Sequence, residues 1–189
     1  MSTTVKIKVK DQDPVNALRT FLGQVLAVES MGALLVPLRL PGKPSVMPSL
    51  VTDAQHLAAE FVNHFKIERP PLAALALTTD TSILTSIGND YHFDDIFSKQ
   101  IEALGRKGDI AWGLSTSGNS KNVIQAIEAA NEKKLFSIAL TGRGGKLADS
   151  AQLVFAAPSD DTALIQEAHI TLGHILCELV ERTLFAEKY

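Results

Sequence analysis

Short apolar runs that end in polar residues recur from residue 72 onward, and they constrain the fold more than any other feature of the chain. Each run has the length of a strand and is followed by Ser, Thr, Gly or Pro; the runs are residues 72–78, 109–115, 135–141 and, more weakly, 152–156. Continuous apolar runs of this length are typical of parallel strands that are buried on both faces of a sheet. These residues are therefore predicted to form a parallel sheet.

Helical patterns lie between the predicted strands. Residues 93–104 carry apolar side chains at helical spacing, and so do residues 122–134. Strands that alternate with helices indicate βαβ units and a doubly wound α/β fold. A last helix, over residues 162–186, is apolar on more than one face. Either one face covers the sheet while another meets a second subunit, or the whole helix is buried in its own domain.

Residues 1–50 are less regular than the rest of the chain. A helix over residues 14–35 would have Asp13 as its N-cap and Pro14 in its first turn. Alternatively, residues 33–40 form the first strand, and an edge or broken strand is expected because Pro37 removes a ladder donor. Residues 41–50 hold three prolines and one glycine, which predicts a stiff loop.

Length, charge and cysteine content limit the class of protein. The chain has 189 residues, 46% of them apolar and 21% charged, which suits one globular domain. The formal net charge of −3 gives no basic field and argues against a general nucleic-acid binder. Cys177 is the single cysteine, so no intrachain disulfide can form. Because no apolar run is long enough to cross a bilayer and residues 1–10 lack a secretory signal pattern, we expect a cytoplasmic protein.

The strongest local signal for chemistry is the segment STSGNS, residues 115–120, which lies between a predicted strand and a predicted helix. Free backbone amides and the helix dipole favour an anion at such a turn, and the hydroxyls add further donors. Phosphate is the natural ligand, and ligands of open parallel sheets bind at the carboxyl ends of the strands. The alternative is a loop whose Ser and Asn residues serve only turn and cap geometry.

Two pairs of polar residues have spacings that suit a metal site. His56 and Glu60 are four apart on a predicted helix, which places them on one face. Gln166 and His174 are eight apart on the last helix and can share a broad face. Together they make a plausible set of ligands for a divalent metal, although lone histidines on amphipathic helices are more often structural. His169 lies on another face and is interpreted as structural.

Other polar residues have simpler local interpretations. Asn89 and Asp90 follow Gly88, and a turn would account for this sequence. Asp80 follows a predicted strand and is expected to cap a helix. Trp112 lies within a predicted strand and is interpreted as a packing residue.

The segment GLSTSGNSKNVIQAIEAA, residues 113–130, resembles the phosphosugar-binding core of the sugar isomerase (SIS) domain family, and in particular the phosphoheptose isomerases. Further matching segments, in the same order, are residues 53–65, 68–100, 103–109 and 165–181. The resemblance covers residues 51–189. We therefore divide the chain into an atypical N-terminal segment of helix and loop, residues 1–50, and a SIS phosphosugar isomerase domain, residues 51–189, within a single domain.

The resemblance implies a flavodoxin-like sheet of five parallel strands flanked by helices. It implies an aldose–ketose isomerase that converts sedoheptulose 7-phosphate to D-glycero-D-manno-heptose 7-phosphate through an enediol, for lipopolysaccharide heptose synthesis. By position, Glu60 would be the base and His174 the partner acid. The implied partners are a phosphorylated sugar and the other subunits of a homotetramer whose active site lies between subunits, without a membrane or direct nucleic-acid contact.

The resemblance also assigns ligands. The implied cofactor is Zn²⁺, one per subunit, and its ligands would be His56, Glu60, Gln166 and His174. The implied substrate-binding residues are Ser115, Thr116, Ser117 and Ser120, which would hold the phosphate, together with Asn89, Asp90 and Gln166.

The sequence departs from the family pattern upstream of Val51. A glycine-rich loop of the form Gly-Asn-Gly-Gly-Ser normally precedes the helix that bears His56, and residues 46–50 read VMPSL instead. Either the first 45 residues are genuinely divergent, or the reading frame or start is disturbed. Smaller departures are His64 and Leu164, where relatives often carry Arg, and the segment GRGGK (142–146), which is one residue short. The altered loop supports an alternative function, a non-catalytic SIS protein similar to the DnaA initiator-associating protein.

Overall fold

A twisted sheet with helices on both faces organises the chain in a computed structural model, which describes residues 6–9, 33–36 and 49–189. The strands among these residues are β1 (Lys6–Val9), β2 (Ala33–Val36), β3 (Ala74–Ala76), β4 (Ile110–Ser115), β5 (Phe136–Thr141) and β6 (Leu153–Ala156). The helices are α1 (Ser49–Val62), α2 (Thr81–Asp90), α3 (Ser98–Leu104), α4 (Lys121–Glu132), α5 (Lys146–Ser150) and α6 (Thr162–Leu184). Short 3₁₀ helices occupy Phe93–Asp95 and Ala186–Lys188.

The spatial order of the strands is β1-β6-β5-β4-β2-β3. All neighbours from β3 to β6 pair in parallel. Numbered among themselves, these five strands have the order 2-1-3-4-5, which is the flavodoxin-like arrangement. The predicted doubly wound α/β fold is therefore confirmed, and five strands of its sheet run parallel.

A sixth strand, which the sequence analysis did not predict, extends the sheet. β1 pairs antiparallel with β6, in a register that sets Lys6 opposite Ala156 and Val9 opposite Leu153. Lysines alternate with apolar residues in this segment, a pattern typical of an edge strand. Two short strands from the first 50 residues, β1 and β2, therefore belong to the same sheet as residues 51–189.

The strand predicted over residues 33–40 is present at Ala33–Val36, and it lies in the interior of the sheet instead of at an edge. β2 covers Ala33–Val36 and pairs with both β3 and β4. The rest of the predicted strand, residues 37–40, lies outside the described residues. The predicted helix over residues 14–35 is wrong at residues 33–35, which are in β2. The loop predicted over residues 41–50 is wrong at residues 49–50, which begin α1. The other residues of both predictions lie outside the described residues.

The other predicted elements differ from the structure mainly at their ends. The helix expected over residues 93–104 is divided into the 3₁₀ turn Phe93–Asp95 and α3, and the last helix ends at Leu184. Asp80 caps α2 as predicted, since its Oδ1 accepts a hydrogen bond of 2.9 Å from the amide of Ile83. Asn89 and Asp90, expected in a turn, form the last residues of that helix.

The two faces of the sheet carry separate apolar cores. Helices α1 and α6 cover one face, where the ring of Trp112 meets Phe61 edge-on with centroids 5.9 Å apart. Helices α3, α4 and α5 cover the other face. Trp112 is 1% exposed, which agrees with its interpretation as a packing residue.

Helices α1 and α6 approach each other most closely at Gly173. A Cβ atom built there would lie 2.6 and 2.8 Å from the two methyl carbons of Leu57, which is fully buried. Glycine therefore fits at this point without any shift of Leu57, and the lack of a side chain lets the neighbouring His174 come close to α1.

Among the described residues, no helix combines the length and the apolar character that spanning a bilayer requires.

Candidate functional site

Two histidines and a carboxylate meet between α1 and α6. The Nε2 atom of His56 lies 3.3 Å from Oε1 of Glu60 and 2.9 Å from Nε2 of His174. One donor atom from each of the three residues lies within 4.8 Å of the other two. The predicted shared face of His56 and Glu60 is therefore confirmed, and His174 joins it from the facing helix.

This arrangement follows from helix geometry and from close packing. His56 and Glu60 are one turn apart on α1, so their side chains stack on one face. His174 follows Gly173, at which the two helices touch. The side chains of His56 and Glu60 are 47% and 20% exposed, so the cluster opens to solvent on one side.

The three donors fit a divalent metal. Two imidazole nitrogens and a carboxylate oxygen that point at a common centre are the ligand types of catalytic zinc sites, which use three protein ligands and leave a position for water or substrate. The two imidazole Nε2 atoms are 2.9 Å apart, which is a hydrogen-bond distance and is close enough for both nitrogens to reach one cation. The geometry is thus compatible with Zn²⁺ bound by His56, Glu60 and His174.

Gln166, the fourth ligand implied by the resemblance, lies nearer the N-terminal end of α6 than His174 does. It is half-buried and precedes His174 by eight residues, which corresponds to about 12 Å along the helix axis. It shares a stripe with Ile170 and His174 at spacings of four. Gln166 is therefore about two turns closer to the beginning of the helix than His174 and is rotated by about 80° from it around the helix axis.

The STSGNS segment forms a tight turn after β4. Ser115 and Ser120 are buried, and their hydroxyl oxygens are 2.8 Å apart. Ser115 Oγ also accepts a hydrogen bond of 3.1 Å from the amide of Gly118. The side chains of Ser115 and Ser120 therefore shape the turn from inside, and because the Ser120 hydroxyl is directed at Ser115, it does not cap the first amides of α4.

A second glycine-rich loop, residues 142–146, supports this turn from the other side. Gly118 has a φ of +64°, and a Cβ atom there would lie only 1.8 Å from the carbonyl oxygen of Gly144. The amide of Gly142 donates to the carbonyl of Thr116 at 3.0 Å, and the amide of Leu147 donates to the carbonyl of Gly118 at 2.9 Å. The two loops therefore form one rigid platform at the carboxyl ends of β4 and β5.

An open cavity of about 390 Å³ lies on this platform. Thr116 and Ser117 line it, as do Arg143, Gly144, Gly145, Ser159, Asp160, Thr162 and Ile165. The position, at the carboxyl ends of parallel strands, is where this type of sheet binds ligands. Of the four hydroxyl residues predicted to bind phosphate, the structure places Thr116 and Ser117 at the cavity and Ser115 and Ser120 behind it.

Arg143 was not singled out from the sequence. Its Nε atom donates to Oδ2 of Asp160 at 2.8 Å, and both side chains are mostly exposed at the rim of the cavity. A guanidinium near the hydroxyls of Thr116 and Ser117 suits an anion site, although Arg143 is paired here with the Asp160 carboxylate. The only signal in the sequence was an arginine within the glycine-rich segment GRGGK that follows a predicted strand.

Asn89 and Asp90 lie on a different surface of the chain. They are exposed at the end of α2, where Asn89 Nδ2 donates to Asp90 Oδ1 at 3.0 Å. Together with Ser82, Thr85 and Ser86 they line a separate, shallow cavity. Within one chain the structure therefore does not bring them to the cavity lined by Thr116.

His169 is buried within α6, against the sheet. It is 2% exposed, and its Nε2 atom lies 3.1 Å from the carbonyl oxygen of Thr141. Burial lowers its pKa to about 4, although the contact with the Thr141 carbonyl acts in the opposite direction. His169 is therefore a neutral core residue at physiological pH, in agreement with the structural interpretation.

Comparison with known proteins gives consistent results. The model of the SIS domain family matches residues 51–142. The chain is 60% identical over 134 residues to a phosphoheptose isomerase of Nitratidesulfovibrio vulgaris, an alignment that covers 70% of this chain and 64% of the relative. It is 46% identical over 164 residues to a phosphoheptose isomerase of Sulfurimonas denitrificans, with 85% of this chain and 84% of the relative covered.

The fold also matches a solved structure. The structure of a phosphoheptose isomerase from Neisseria gonorrhoeae superimposes with a TM-score of 0.70 at 45% sequence identity, over 88% of this chain and 84% of that one. The match to the Nitratidesulfovibrio vulgaris relative, in contrast, spans slightly less than two thirds of that protein's length.

Proposed function

Since this chain belongs to the phosphoheptose isomerase family of SIS-domain proteins, we propose that it interconverts sedoheptulose 7-phosphate and D-glycero-D-manno-heptose 7-phosphate. The observation that carries the proposal is the convergence of His56, Glu60 and His174 between α1 and α6. A carboxylate next to an imidazole is the pair of groups needed to move a proton between two carbons while their oxygens exchange protons.

In the proposed reaction, Glu60 removes a proton from C1 of the ketose while His174 donates a proton to the carbonyl oxygen at C2. The product of this step is an enediol, in which C1 and C2 share a double bond. His174 then takes the proton of the C1 hydroxyl, and Glu60 returns its proton to C2. The net change moves the carbonyl from C2 to C1, and both residues regain their starting protonation states.

The metal belongs to the same proposal. His56, Glu60 and His174 would hold Zn²⁺, and Gln166 remains the predicted fourth ligand. When bound, the ion would supply a Lewis acid that polarises the substrate oxygens. The residues themselves orient the substrate: Glu60 is held beside His56 by their spacing on one helix, and His174 faces both from α6.

The phosphate of the substrate is proposed to bind at the cavity lined by Thr116 and Ser117. The hydroxyls of these residues, the first amides of α4 and the guanidinium of Arg143 would neutralise and hydrogen-bond the anion. Ser115 and Ser120 would fix the shape of the loop from behind. Ile165 lines this cavity and lies nine residues before His174 on α6, so the helix connects the anion site to the proton-transfer groups.

The remaining predictions concern assembly and location. A homotetramer with its active site between subunits would bring further residues, Asn89 and Asp90 among them, to the substrate. Exposed apolar side chains on α6, Leu164 at 51% and Ile175 at 48%, support contact with a second subunit. A cytoplasmic location and a role in lipopolysaccharide heptose synthesis complete the proposal.

An isomerase assay tests the proposed function directly. Purified protein supplied with zinc and sedoheptulose 7-phosphate should form the aldose product, and Glu60→Gln and His174→Gln should each abolish this activity while leaving the fold intact. Glu128→Gln is a matched control, because Glu128 is exposed on α4, on the opposite face of the sheet. Absence of product from a protein that still binds the phosphosugar would refute the enzymatic proposal.

The non-catalytic alternative, a binding protein similar to the DnaA initiator-associating protein, is not favoured. The relatives described above are named as isomerases, and Glu60 and His174 are both present at converging positions. The altered segment that motivated this alternative, residues 46–50, lies outside the described residues up to residue 48, and Ser49 and Leu50 begin α1. A pull-down with DnaA, run beside the isomerase assay, distinguishes the two functions.

A further inference from the structure

A carboxylate buried two turns beyond His174 organises the segment that covers the proposed active site. The side chain of Glu181 is 1% exposed. Its Oε1 accepts a hydrogen bond of 2.8 Å from the amide of Phe65, and its Oε2 accepts one of 2.9 Å from the amide of Lys66. Because seven residues make almost two complete turns, Glu181 lies on the same side of α6 as His174.

Arg69 completes this network and connects it to the end of α1. Its Nε atom donates to Glu181 Oε1 at 2.9 Å, and its side chain is 1% exposed. Its terminal nitrogens donate to the carbonyl oxygens of Glu60 at 2.7 Å and Phe61 at 2.8 Å. One guanidinium therefore closes the last turn of the helix that carries Glu60 and holds it against α6.

Phe65 connects the hydrogen-bond network of Glu181 to the imidazole of His174. Its ring stacks on the imidazole of His174, with centroids 5.3 Å apart and planes inclined by 19°. The His56 ring contacts the same imidazole edge-on, at a centroid distance of 5.2 Å. The plane of the His174 ring is thus set by Phe65 on one face, and the position of Phe65 is set by the hydrogen bond from its own amide to Glu181.

The charge state of Glu181 suits this role. Burial by itself raises its pKa, but the amides of Phe65 and Lys66 and the Arg69 guanidinium outweigh burial and hold the pKa below its ordinary value. A buried ion pair is weak evidence for stability, because desolvation of both charges offsets their attraction. The Glu181–Arg69 pair is more informative about geometry, because its directional hydrogen bonds fix the positions of the Phe65 and Lys66 amides.

We propose that Glu181, Arg69 and Phe65 are positioning residues, which hold the His174 ring and the Glu60 helix turn in the relative orientation that proton transfer requires. This inference rests on the proposed isomerase function. It concerns residues outside the cluster of His56, Glu60 and His174, and none of the three would touch the substrate.

The first test replaces the ring that stacks on His174. Phe65→Leu keeps an apolar side chain but removes the stacking, whereas Phe65→Tyr keeps the stacking. We expect kcat to fall about 10- to 100-fold in Phe65→Leu with KM little changed, and Phe65→Tyr to retain most of the activity. Phe136→Leu is the matched control, because Phe136 is another partly buried phenylalanine of the same apolar core.

Two further measurements do not depend on turnover. In NMR spectra of the substrate-free protein, the ring protons of His174 should carry a ring-current shift that disappears in Phe65→Leu and persists in Phe65→Tyr and Phe136→Leu. Zinc affinity, measured by competition with a chelator, should fall about 10- to 100-fold in Phe65→Leu, as for other residues that orient a metal ligand. The His174→Gln variant assigns the signals.

Glu181→Gln tests the anchor itself. The substitution preserves shape but places an amide N–H₂ against backbone N–H groups, so the Phe65 segment should loosen and the His174 shift should move towards that of Phe65→Leu. Glu167→Gln, which alters an exposed glutamate on the same helix, should change neither value. If Glu181→Gln fails to fold, the Phe65 variants alone decide the outcome.

The outcomes separate this inference from the proposed function. If a folded Phe65→Leu variant had the same kcat, zinc affinity and His174 chemical shift as the wild type, the positioning role would be overturned. An equal loss of kcat in Phe65→Leu and Phe136→Leu would also overturn it, because the effect would then be general destabilisation. An inactive wild-type protein whose His174 shift and zinc affinity respond to Phe65→Leu as expected would instead refute the isomerase function alone.

Discussion

The Nε2 atoms of His56 and His174 face each other at 2.9 Å, although the two residues are 118 positions apart in the sequence. They belong to different helices, and Glu60 Oε1 lies 3.3 Å from His56 Nε2 on the same side. A cluster of this kind is compatible with a shared cation, because two imidazoles and a carboxylate are common zinc ligands.

The first prediction concerns zinc and thermal stability. Zinc added to metal-free protein should raise the melting temperature, since a ligand that binds only the folded state stabilises it by about 2.7 kcal/mol at a hundredfold excess over Kd. His56→Gln should remove most of this rise. His92→Gln, which alters an exposed histidine outside the cluster, should not. An equal rise in all three proteins, measured by scanning calorimetry, would show that zinc binds elsewhere.

The second prediction concerns the contact between α1 and α6. Gly173→Ala places a methyl group within 2.6 Å of Leu57 Cδ2, and because Leu57 is fully buried, either its side chain or one of the two helices must shift. We expect a loss of about 1–3 kcal/mol in the free energy of unfolding, measured by urea denaturation, together with weaker zinc binding.

The control for this substitution is Gly88→Ala. Gly88 is also helical, but a Cβ atom there meets only Ile96, at 3.9 Å. Replacing a helical glycine by alanine in open space should stabilise the protein by about 0.5–1 kcal/mol. Similar losses in the two variants would contradict the role assigned to Gly173.

The third prediction is a loss of stability in acid that originates at His169. Its pKa is about 4 in the folded protein and 6.5 in the unfolded reference, so between these values the unfolded chain binds more protons. Stability from His169 is therefore complete above pH 6.5 and decreases as the pH falls towards 4, by about 3 kcal/mol in total.

The measurement is the difference in unfolding free energy between the wild type and His169→Gln, taken from pH 4 to pH 7. The glutamine retains a donor for the Thr141 carbonyl but does not titrate, so the wild type should lose stability relative to the variant as the pH decreases. Asp53 acts in the opposite sense, because burial raises its pKa to about 6, against a smaller opposing effect of His56. Asp53 is present in both proteins, so its contribution cancels in the difference between their unfolding free energies. If the unfolding free energies of the wild type and His169→Gln instead changed in parallel with pH, the pKa shift assigned to His169 would be contradicted.

The fourth prediction concerns the reactivity of Cys177. Burial, together with the nearby charges of Glu60 and Glu181, raises its pKa to about 12 from 9.0. At pH 8 the thiolate fraction should be about a thousandfold lower than for an ordinary thiol. Alkylation should therefore be very slow in the native protein and fast in denaturant; rapid alkylation of the folded protein would contradict this environment.

Local patterns predicted much of the architecture. The apolar runs identified four of the five parallel strands within one or two residues at most ends, because a strand buried on both faces requires apolar residues throughout. The cap at Asp80 and the pairing of His56 with Glu60 were also predictable, because both depend on residues fewer than five positions apart. The SIS resemblance supplied the identity of the fold.

Other features were not predictable from local patterns. Ser115 and Ser120 turn inward and bond to each other, although their position in a polar loop suggested contact with phosphate. The antiparallel pairing of β1 and the interior position of β2 depend on which strand edges are available, and this is not encoded in either segment alone. Arg69 and Glu181 are 112 residues apart, and neither carries a local signal of burial.

The amino-acid pattern is therefore enough to predict most elements of this protein and the chemical groups that its site can use. It contains two histidines, a glutamate and a hydroxyl-rich turn. The spacing of His56 and Glu60 places them on one face of a helix, and the turn follows the end of a strand. The tertiary structure decided which groups meet. The contact of Gly173 with Leu57 brings His174 to His56, and the hydrogen bonds of Glu181 place Phe65 on His174. These contacts depend on the packing of two helices on one sheet, because only close packing converts distant residues into neighbours separated by a few ångströms.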